Sequence, residues 1–339
     1  MLAPARLEAS VAKAHQEEDR RRRRAAPFYR WLQRNLLRSA VVLVGGLPRN
    51  ARHKLAWFLG NVMVRFIPFR RGVVESNLKL AFPDWSAPKL KKVVYESFVT
   101  LVRNSIDGLA LSRMSKEDVL EAVDHPMIGV EHLDALRRSG KGFILTTAHI
   151  GDWEWGGAYL AAIGLDLADV AKPLHNEALH KFATEVRSRH NIKLISTEDS
   201  AIRMVRHLKS GGVLSLFTDQ NVRHDGVFVP FFGRDASTAA GAGYLAYRVG
   251  VPVIPIHGVR TPAGRIQGYV DEPIWADPSQ PMDREIERIT RYHVQCLENL
   301  VRKHPGQYFW FHRRWKTRPA SESRPREESR ELAASAQRA

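Results

Sequence analysis

The stretch GFILTTAHIGDWEWGG, residues 142–157, decides the reading of this chain. Its first half is a short apolar run rich in β-formers, and its second half carries helix formers behind an aspartate. The chain therefore passes from a strand over Gly142 to Ala148, through a turn at His149, into a helix over Asp152 to Ile163. Four residues separate His149 from Glu154 across that turn, so the first helical turn can return a carboxylate to the imidazole. A carboxylate bonded to one ring nitrogen fixes the tautomer and favours the imidazolium, which makes the other nitrogen a better general base. Glycines at 151, 156 and 157 permit close backbone approach, and Asp152 stands where a helix N-cap is expected. The plain alternative is a histidine that caps a strand, with Trp153 and Trp155 as core.

Working outward, the same alternation recurs. Strands are expected over Leu167–Ala171, Ile192–Ser196, Val213–Thr218, Val253–His257 and Arg265–Val270, with helices over Glu177–His190, Ser200–Lys209, Ala239–Val249 and Asp283–Lys303. Upstream, residues 72–120 read as helical, with a turn at FPDW (82–85). Alternating strand and helix predicts an α/β fold, a mixed, mostly parallel sheet flanked by helices. Sites in such folds collect where strands end at their carboxyl side, and His149 falls at such an end. Asp219 and Gln220 end another strand and project into the same face, while VFVPFF (227–232) offers an apolar wall.

The chain has 339 residues, 44% of them hydrophobic, enough for a sizeable core in one large or two modest domains. Its single cysteine, Cys296, excludes an intrachain disulfide framework and a multi-Cys metal site; within a helical stretch and without a neighbouring base, it reads as core. Formal charge is +16, and residues 1–71 alone hold 16 Lys/Arg against 4 Asp/Glu. The remaining 268 positions carry only +4, so basicity belongs to the N-terminal region and points to an anionic surface.

Residues 1–26, with five arginines at 20–24, read as a basic disordered tail, and 319–339 as a second disordered tail. Between 27 and 70, Arg30, Arg34 and Arg38 line one helical face while Phe28, Leu32, Leu36 and Leu43 mark another; a second apolar stretch runs from Leu55 to Val64. Neither stretch reaches the ~18 to 20 apolar residues of a bilayer span, so an interfacial helical segment is expected there, ahead of an α/β domain over 71–318. A basic helix packed on its own domain is the other reading. No secretory signal pattern is expected, and the arginines favour a cytoplasmic leaflet.

Other chemistries lack their motifs. There is no G-x-S-x-G elbow, no phosphate-binding G-x-x-x-x-G-K-[ST] loop and no H-E-x-x-H zinc helix, and GAG at 241–243 reads as close helix packing. HRRW (312–315), after Trp310 and Phe311, suits either a membrane-edge or phosphate contact or a packed final turn.

The segment HIGDWE resembles the H-x-x-x-x-[DE] signature of glycerolipid-type acyltransferases, and its surroundings resemble the lipid A secondary acyltransferases, the lauroyl/myristoyl transferases of lipopolysaccharide assembly. SNLKLAFPDWS (76–86), AKPLHN (171–176), the Arg187 region, TDQNVRHDGVFVPFFGRDAST (218–238), VPVIP (251–255) and HPGQYFWFHRRWKTRP (304–319) carry the likeness across residues 28 to 319. The family usually has an aromatic-Arg-Pro where this chain has Ala171, Lys172 and Pro173, and usually Pro where Thr218 precedes Asp219. Lysine lacks arginine's bidentate fork, so acceptor recognition is where these departures count.

The resemblance implies a membrane-associated O-acyltransferase at the cytoplasmic face of the inner membrane, needing neither metal nor bound cofactor. Its donor would be acyl-carrier protein, or acyl-CoA, and its acceptor a phosphorylated lipid A precursor; no nucleic acid is expected as partner. His149 and Glu154 carry catalysis on this reading, with backbone amides near Gly151 or a cation on the oxyanion. Lys172 and Arg187 contact phosphate, and Asp219 and Gln220 contact substrate. Open beside it are a lysophospholipid, glycolipid or aminolipid acyltransferase using acyl-CoA, and an inert adaptor whose basic N-terminal region binds membranes or nucleic acid.

Overall fold

The computed structural model describes residues 33, 35–67, 69–172, 174, 176–197 and 201–319. The tails expected at 1–26 and beyond 319 lie outside the described residues, as do Phe28, Arg30, Leu32 and Arg34 of the first amphipathic stretch.

Helices come first in the chain: α1 (35–45), α2 (Arg49–Phe66), α3 (Arg71–Ala81), α4 (Ala87–Leu111) and α5 (Lys116–Glu121). They lead into β1 (Val123–Ile128), α6 (Val130–Ser139), β2 (Phe143–Thr147), α7 (Trp153–Ala162), β3 (Leu167–Ala171), α8 (Glu177–Arg189), β4 (Lys193–Ser196), α9 (Ala201–Lys209) and β5 (Val213–Phe217). A hairpin of β6 (Gly226–Phe231) and β7 (Arg234–Ala239) follows, then α10 (Gly241–Val249), β8 (Val253–Arg260), β9 (Ile266–Val270) and α11 (Met282–Lys303).

Seven strands form one sheet in the order β1-β9-β8-β2-β5-β3-β4. β8, β2, β5, β3 and β4 run parallel, while β9 turns back antiparallel to β8 and β1 pairs parallel to β9. The period of two along β2 explains why both faces are covered. Phe143 and Leu145 enter a core shared with α4 to α8, whereas Ile144 enters a second core shared with α9, α10 and α11. In that second layer Gly243 is required by packing, since a Cβ there would stand 2.9 Å from the Ile286 Cα of α11.

Two parts of the sheet system escape the sequence reading. β1, VDHPMI, has a proline and little alternation; it survives as a strand because it lies at the sheet edge, where a missing N–H costs no ladder bond. The β6–β7 hairpin turns through Phe232 and Gly233, both at positive φ (53° and 70°), the backbone of a two-residue hairpin turn without its usual Asn-Gly. This hairpin also corrects the expected apolar wall. Val229, Phe231 and Phe232 are buried among α3, α4, α11 and the C-terminal aromatic segment, where Phe231 stacks on Trp315. HRRW likewise takes its packed reading: Trp310, Arg314 and Trp315 are buried, and Arg314 donates to the Ser237 carbonyl at 2.7 Å and Thr238 Oγ1 at 2.6 Å.

α2 is fastened along α4. Gly60 lies so close to Val99 that a Cβ would stand 2.8 Å from its Cα, and buried Arg52 reaches Asp107 on α4 at 3.3 Å. The opposite side of α2 is apolar and open, with Trp57 56%, Phe58 58% and Phe66 76% exposed. No helix among the described residues is long and apolar enough to cross a membrane.

Candidate active site

Parallel pairing of β2 with β5 sets Thr147 opposite Phe217, and the ladder continues as the Thr218 N–H donates to the Thr147 carbonyl. Two residues beyond each strand end stand His149 and Asp219. His149 Nδ1–H donates to Asp219 Oδ1 at 2.9 Å, and the His149 backbone N–H donates to Asp219 Oδ2 at 3.1 Å. Both carboxylate oxygens are thus engaged by one residue. Asp219 is 3% exposed, while the His149 side chain keeps 22% of its surface open. With Nδ1 holding its proton for Asp219, Nε2 is the nitrogen left for another partner.

Burial works against a charged imidazole, yet the charge and hydrogen bond of Asp219, aided by Glu154, outweigh it and hold His149 above its ordinary range. Burial would also raise the Asp219 carboxyl, but His149 reverses this and keeps it below the ordinary carboxylate range. Aromatic rings enclose the imidazole, with the centroid of Phe217 at 4.7 Å and of Trp153 at 5.1 Å.

The structure corrects the expected pairing of His149 with Glu154. Glu154 lies in the first turn of α7 and accepts from Arg187 Nη2 at 2.9 Å; its influence on His149 is electrostatic, through space. Arg187, on α8, also donates through Nε to Asp169 Oδ2 on β3 at 3.0 Å. Held between two carboxylates, it has little capacity to take a phosphate, and the expectation of a phosphate contact gives way to one of a residue that fixes Glu154. Burial raises the pKa of Glu154 and of Asp169, and Arg187 opposes it in both. Arg187→Ala should therefore lower unfolding stability by about 2–3 kcal/mol in urea denaturation, because two carboxylates lose the cation between them. A residue that served only to touch phosphate would leave stability unchanged.

Asp219 is likewise corrected, since burial under His149 leaves it no route to a substrate. Lys172, just past β3, and Gln220, just past β5, are exposed at the same carboxyl edge of the sheet. Pro173 and His175 of the AKPLHN segment lie outside the described residues.

Asp152 caps α7, its side chain accepting from the Trp155 N–H, and it also pairs with Arg260 at the end of β8. Arg260 Nη2 reaches Asp107 at 2.6 Å, so a buried chain of charges runs from Arg52 of α2 through Asp107 and Arg260 to the start of α7. Gly151, at φ +56°, has its Cβ position 1.9 Å from the Gly258 carbonyl, so only glycine fits. Its N–H donates to the Gln307 carbonyl at 2.9 Å and is thereby unavailable as the expected oxyanion donor. Gly156 and Gly157 do not mediate backbone approach. They line a cavity between the sheet and α7, and nothing stands within 4 Å of a Cβ at Gly156.

Trp153 and Phe217, whose rings flank His149, line that cavity together with Thr147 and Glu154, and its apolar lining includes Leu145, Leu160, Leu167 and Ile256. His257 faces it, and burial holds that imidazole down to about 4, so His257 adds no charge at neutral pH; the charges in the wall are those of the paired Glu154, Asp169 and Arg187. Cys296 lies elsewhere, on α11, where burial pushes its thiol up to about 12 and keeps it protonated. Sequence reasoning missed Asp169 and Arg260. A signal existed for the first, an aspartate inside the apolar strand LADVA, which demands a buried partner.

A base-type histidine beside an apolar cavity, on a mostly parallel α/β sheet with the H-x-x-x-x-E signature, is the arrangement of an acyltransferase. The chain belongs to the bacterial lipid A biosynthesis acyltransferase family, whose model matches residues 19–317. It is 29% identical over 287 residues to the lipid A biosynthesis lauroyltransferase of Escherichia coli K12, covering 82% of this chain and 89% of that protein. The lipid A biosynthesis palmitoleoyltransferase of the same strain is 27% identical over 278 residues, 78% of this chain and 85% of that protein. A phosphatidylinositol mannoside acyltransferase of Mycobacterium tuberculosis CDC 1551 / Oshkosh is 24% identical over 151 residues, 43% of this chain and 48% of its own length. The protein is an acyltransferase of this lipid A/glycerolipid type, acting on an acyl donor and a lipid acceptor.

Proposed function

We propose that this protein moves a fatty acyl group from an acyl-carrier-protein thioester to a hydroxyl of a phosphorylated lipid A precursor, at the cytoplasmic face of the inner membrane. The observation that carries the catalytic part is the His149–Asp219 pair, whose imidazole is flanked by Trp153 and Phe217, two residues that line the apolar cavity. The cavity holds about 50 Å³, so it must widen for the acyl chain to enter it and leave its thioester carbonyl near His149. Nε2 removes the acceptor hydroxyl's proton as that oxygen attacks the carbonyl carbon, and Asp219 holds Nδ1–H and stabilises the imidazolium formed. The tetrahedral intermediate collapses with cleavage of the C–S bond, and the departing thiolate takes the proton back from His149. Glu154, held by Arg187, adds negative potential that favours the imidazolium. Lys172 and Gln220 meet the acceptor at the sheet edge.

Donor and acceptor are tested together by supplying purified protein with lauroyl-carrier protein or lauroyl-CoA and with lipid A precursors or lysophospholipids, and following acylated product by mass spectrometry. Faster turnover with the carrier-protein donor and the lipid A precursor is expected; preference for acyl-CoA and a lysophospholipid would replace this reading with its runner-up.

Membrane attachment rests on the open side of α2. Burying each large apolar side chain contributes about 1.5–3 kcal/mol, and Lys54 and Arg65 on the same helix favour an anionic surface. Phe58→Glu with Phe66→Glu should weaken binding to phosphatidylglycerol vesicles at least tenfold while leaving the unfolding midpoint within a few degrees. Undiminished flotation of the double variant would remove α2 as the attachment surface. Removing residues 1–70 is a poorer test, since it also strips Arg52 from Asp107.

A further inference from the structure

Away from the catalytic edge, a cavity of about 360 Å³ lies between α4, the chain following α11 and the end of β8. Arg103, Lys303, Arg260 and His304 line it, and Glu96 is its one lining carboxylate. Its neutral polar groups are already engaged. Thr100 Oγ1 donates to the Gly306 carbonyl, Asn104 to the Gly151 carbonyl, and the Gln307 side chain holds the backbone of Arg260 in both directions.

The charges do not balance. Arg52 and Arg260 are matched by Asp107 and Asp152 in the buried chain described above. Arg103 adds a cation with no carboxylate within ion-pair distance among the described residues, and its Nε is buried without a hydrogen-bond partner there. Burial, and after it the neighbouring Arg260 charge, lower its pKa, while Asp107 and Asp152 act in the opposite direction. Lys303 is exposed at the last turn of α11 and makes no ion pair among the described residues, though its charge acts on Asp271 through space. Glu96 offsets little, because burial raises its pKa and its carboxylate already leans toward Lys92 at 3.9 Å.

We propose that this cavity binds a phosphate group, with Arg103 and Lys303 as its direct contacts and Arg260 as fixed positive background. A phosphate dianion suits the place because it brings two negative charges and only acceptor oxygens to donors that lack acceptors. Asn104 and Gln307, both in the cavity wall, hold Gly151, two residues from His149, while Tyr95 and Val99, also in the wall, contact α2, which exposes Trp57 and Phe58. An anion there sits between the catalytic loop and the apolar helix.

The test reads binding without turnover, so it stands or falls separately from the acyl-transfer reading. Full-length protein in detergent micelles is titrated with inorganic pyrophosphate and followed by thermal unfolding. The midpoint should rise with concentration, as it should in His149→Ala, and the apparent Kd should increase at least tenfold in Arg103→Gln and in Lys303→Gln. Lys303 is exposed, so its variant keeps the test valid if Arg103→Gln fails to fold. Flotation with phosphatidylcholine vesicles, with and without phosphatidic acid, separates two sources of the group. Loss of the phosphatidic-acid-dependent part in the variants assigns a lipid headgroup; unchanged flotation with weakened pyrophosphate binding assigns a non-bilayer phosphate. No response of the wild type to pyrophosphate, or equal responses in wild type and Lys303→Gln, would overturn the proposal.

Discussion

His149→Ala is expected to lower kcat by roughly 10² to 10⁴-fold while the protein remains folded and bound to vesicles. The loss follows from geometry. Nε2 is the ring nitrogen not taken by Asp219, and the His149 side chain keeps part of its surface open. Arg187, in the cavity wall, is cationic and held by two carboxylates, and the His257 ring is buried. Single-turnover acylation measured beside circular dichroism is the check, and near-normal turnover without His149 would remove the mechanism.

Asp219→Asn is expected to cost about 10² to 10⁴-fold in kcat with little change in shape. Asp219 accepts two hydrogen bonds from His149, one from Nδ1–H and one from the backbone N–H. An asparagine can accept only one of them. If its oxygen keeps the backbone N–H, its NH₂ faces Nδ1 and drives the proton to Nε2, which destroys the base; if it keeps Nδ1–H, a buried N–H loses its acceptor. Because the two residues act as a unit, His149→Ala with Asp219→Asn should be little worse than His149→Ala alone.

The pH dependence carries an independent signature. The base must be neutral to act, so a histidine with raised pKa becomes competent only as pH climbs through that value. The acid limb of kcat/KM in the wild type should therefore have its midpoint above 6.5, and Asp219→Asn should move it to lower pH, since burial then works against the imidazolium with only Glu154 in support. A limb that stays in place in the variant would show that it reports another group.

Local sequence was sufficient for much of the architecture. The alternation of β-rich runs with helical periods placed six of the seven strands of the large sheet, the helix after His149 and its Asp152 cap, because each depends on neighbours a few residues away. It failed where a strand lacks its usual composition, as in β1 with its edge proline and the hairpin turning at Phe232 and Gly233.

Within the site, the sequence by itself determined that His149 ends a strand and that Glu154 follows it in the first helical turn. Only tertiary structure decided which carboxylate meets the imidazole. Residues 149 and 219 are 70 apart, and they meet because β2 and β5 pair in parallel with 147 opposite 217. Parallel register depends on how two distant strands align under the helices that join them, and no local period encodes it. The same holds for Arg187: its type and place on α8 were legible, but its position between Glu154 and Asp169 required α7, β3 and α8 to be assembled first.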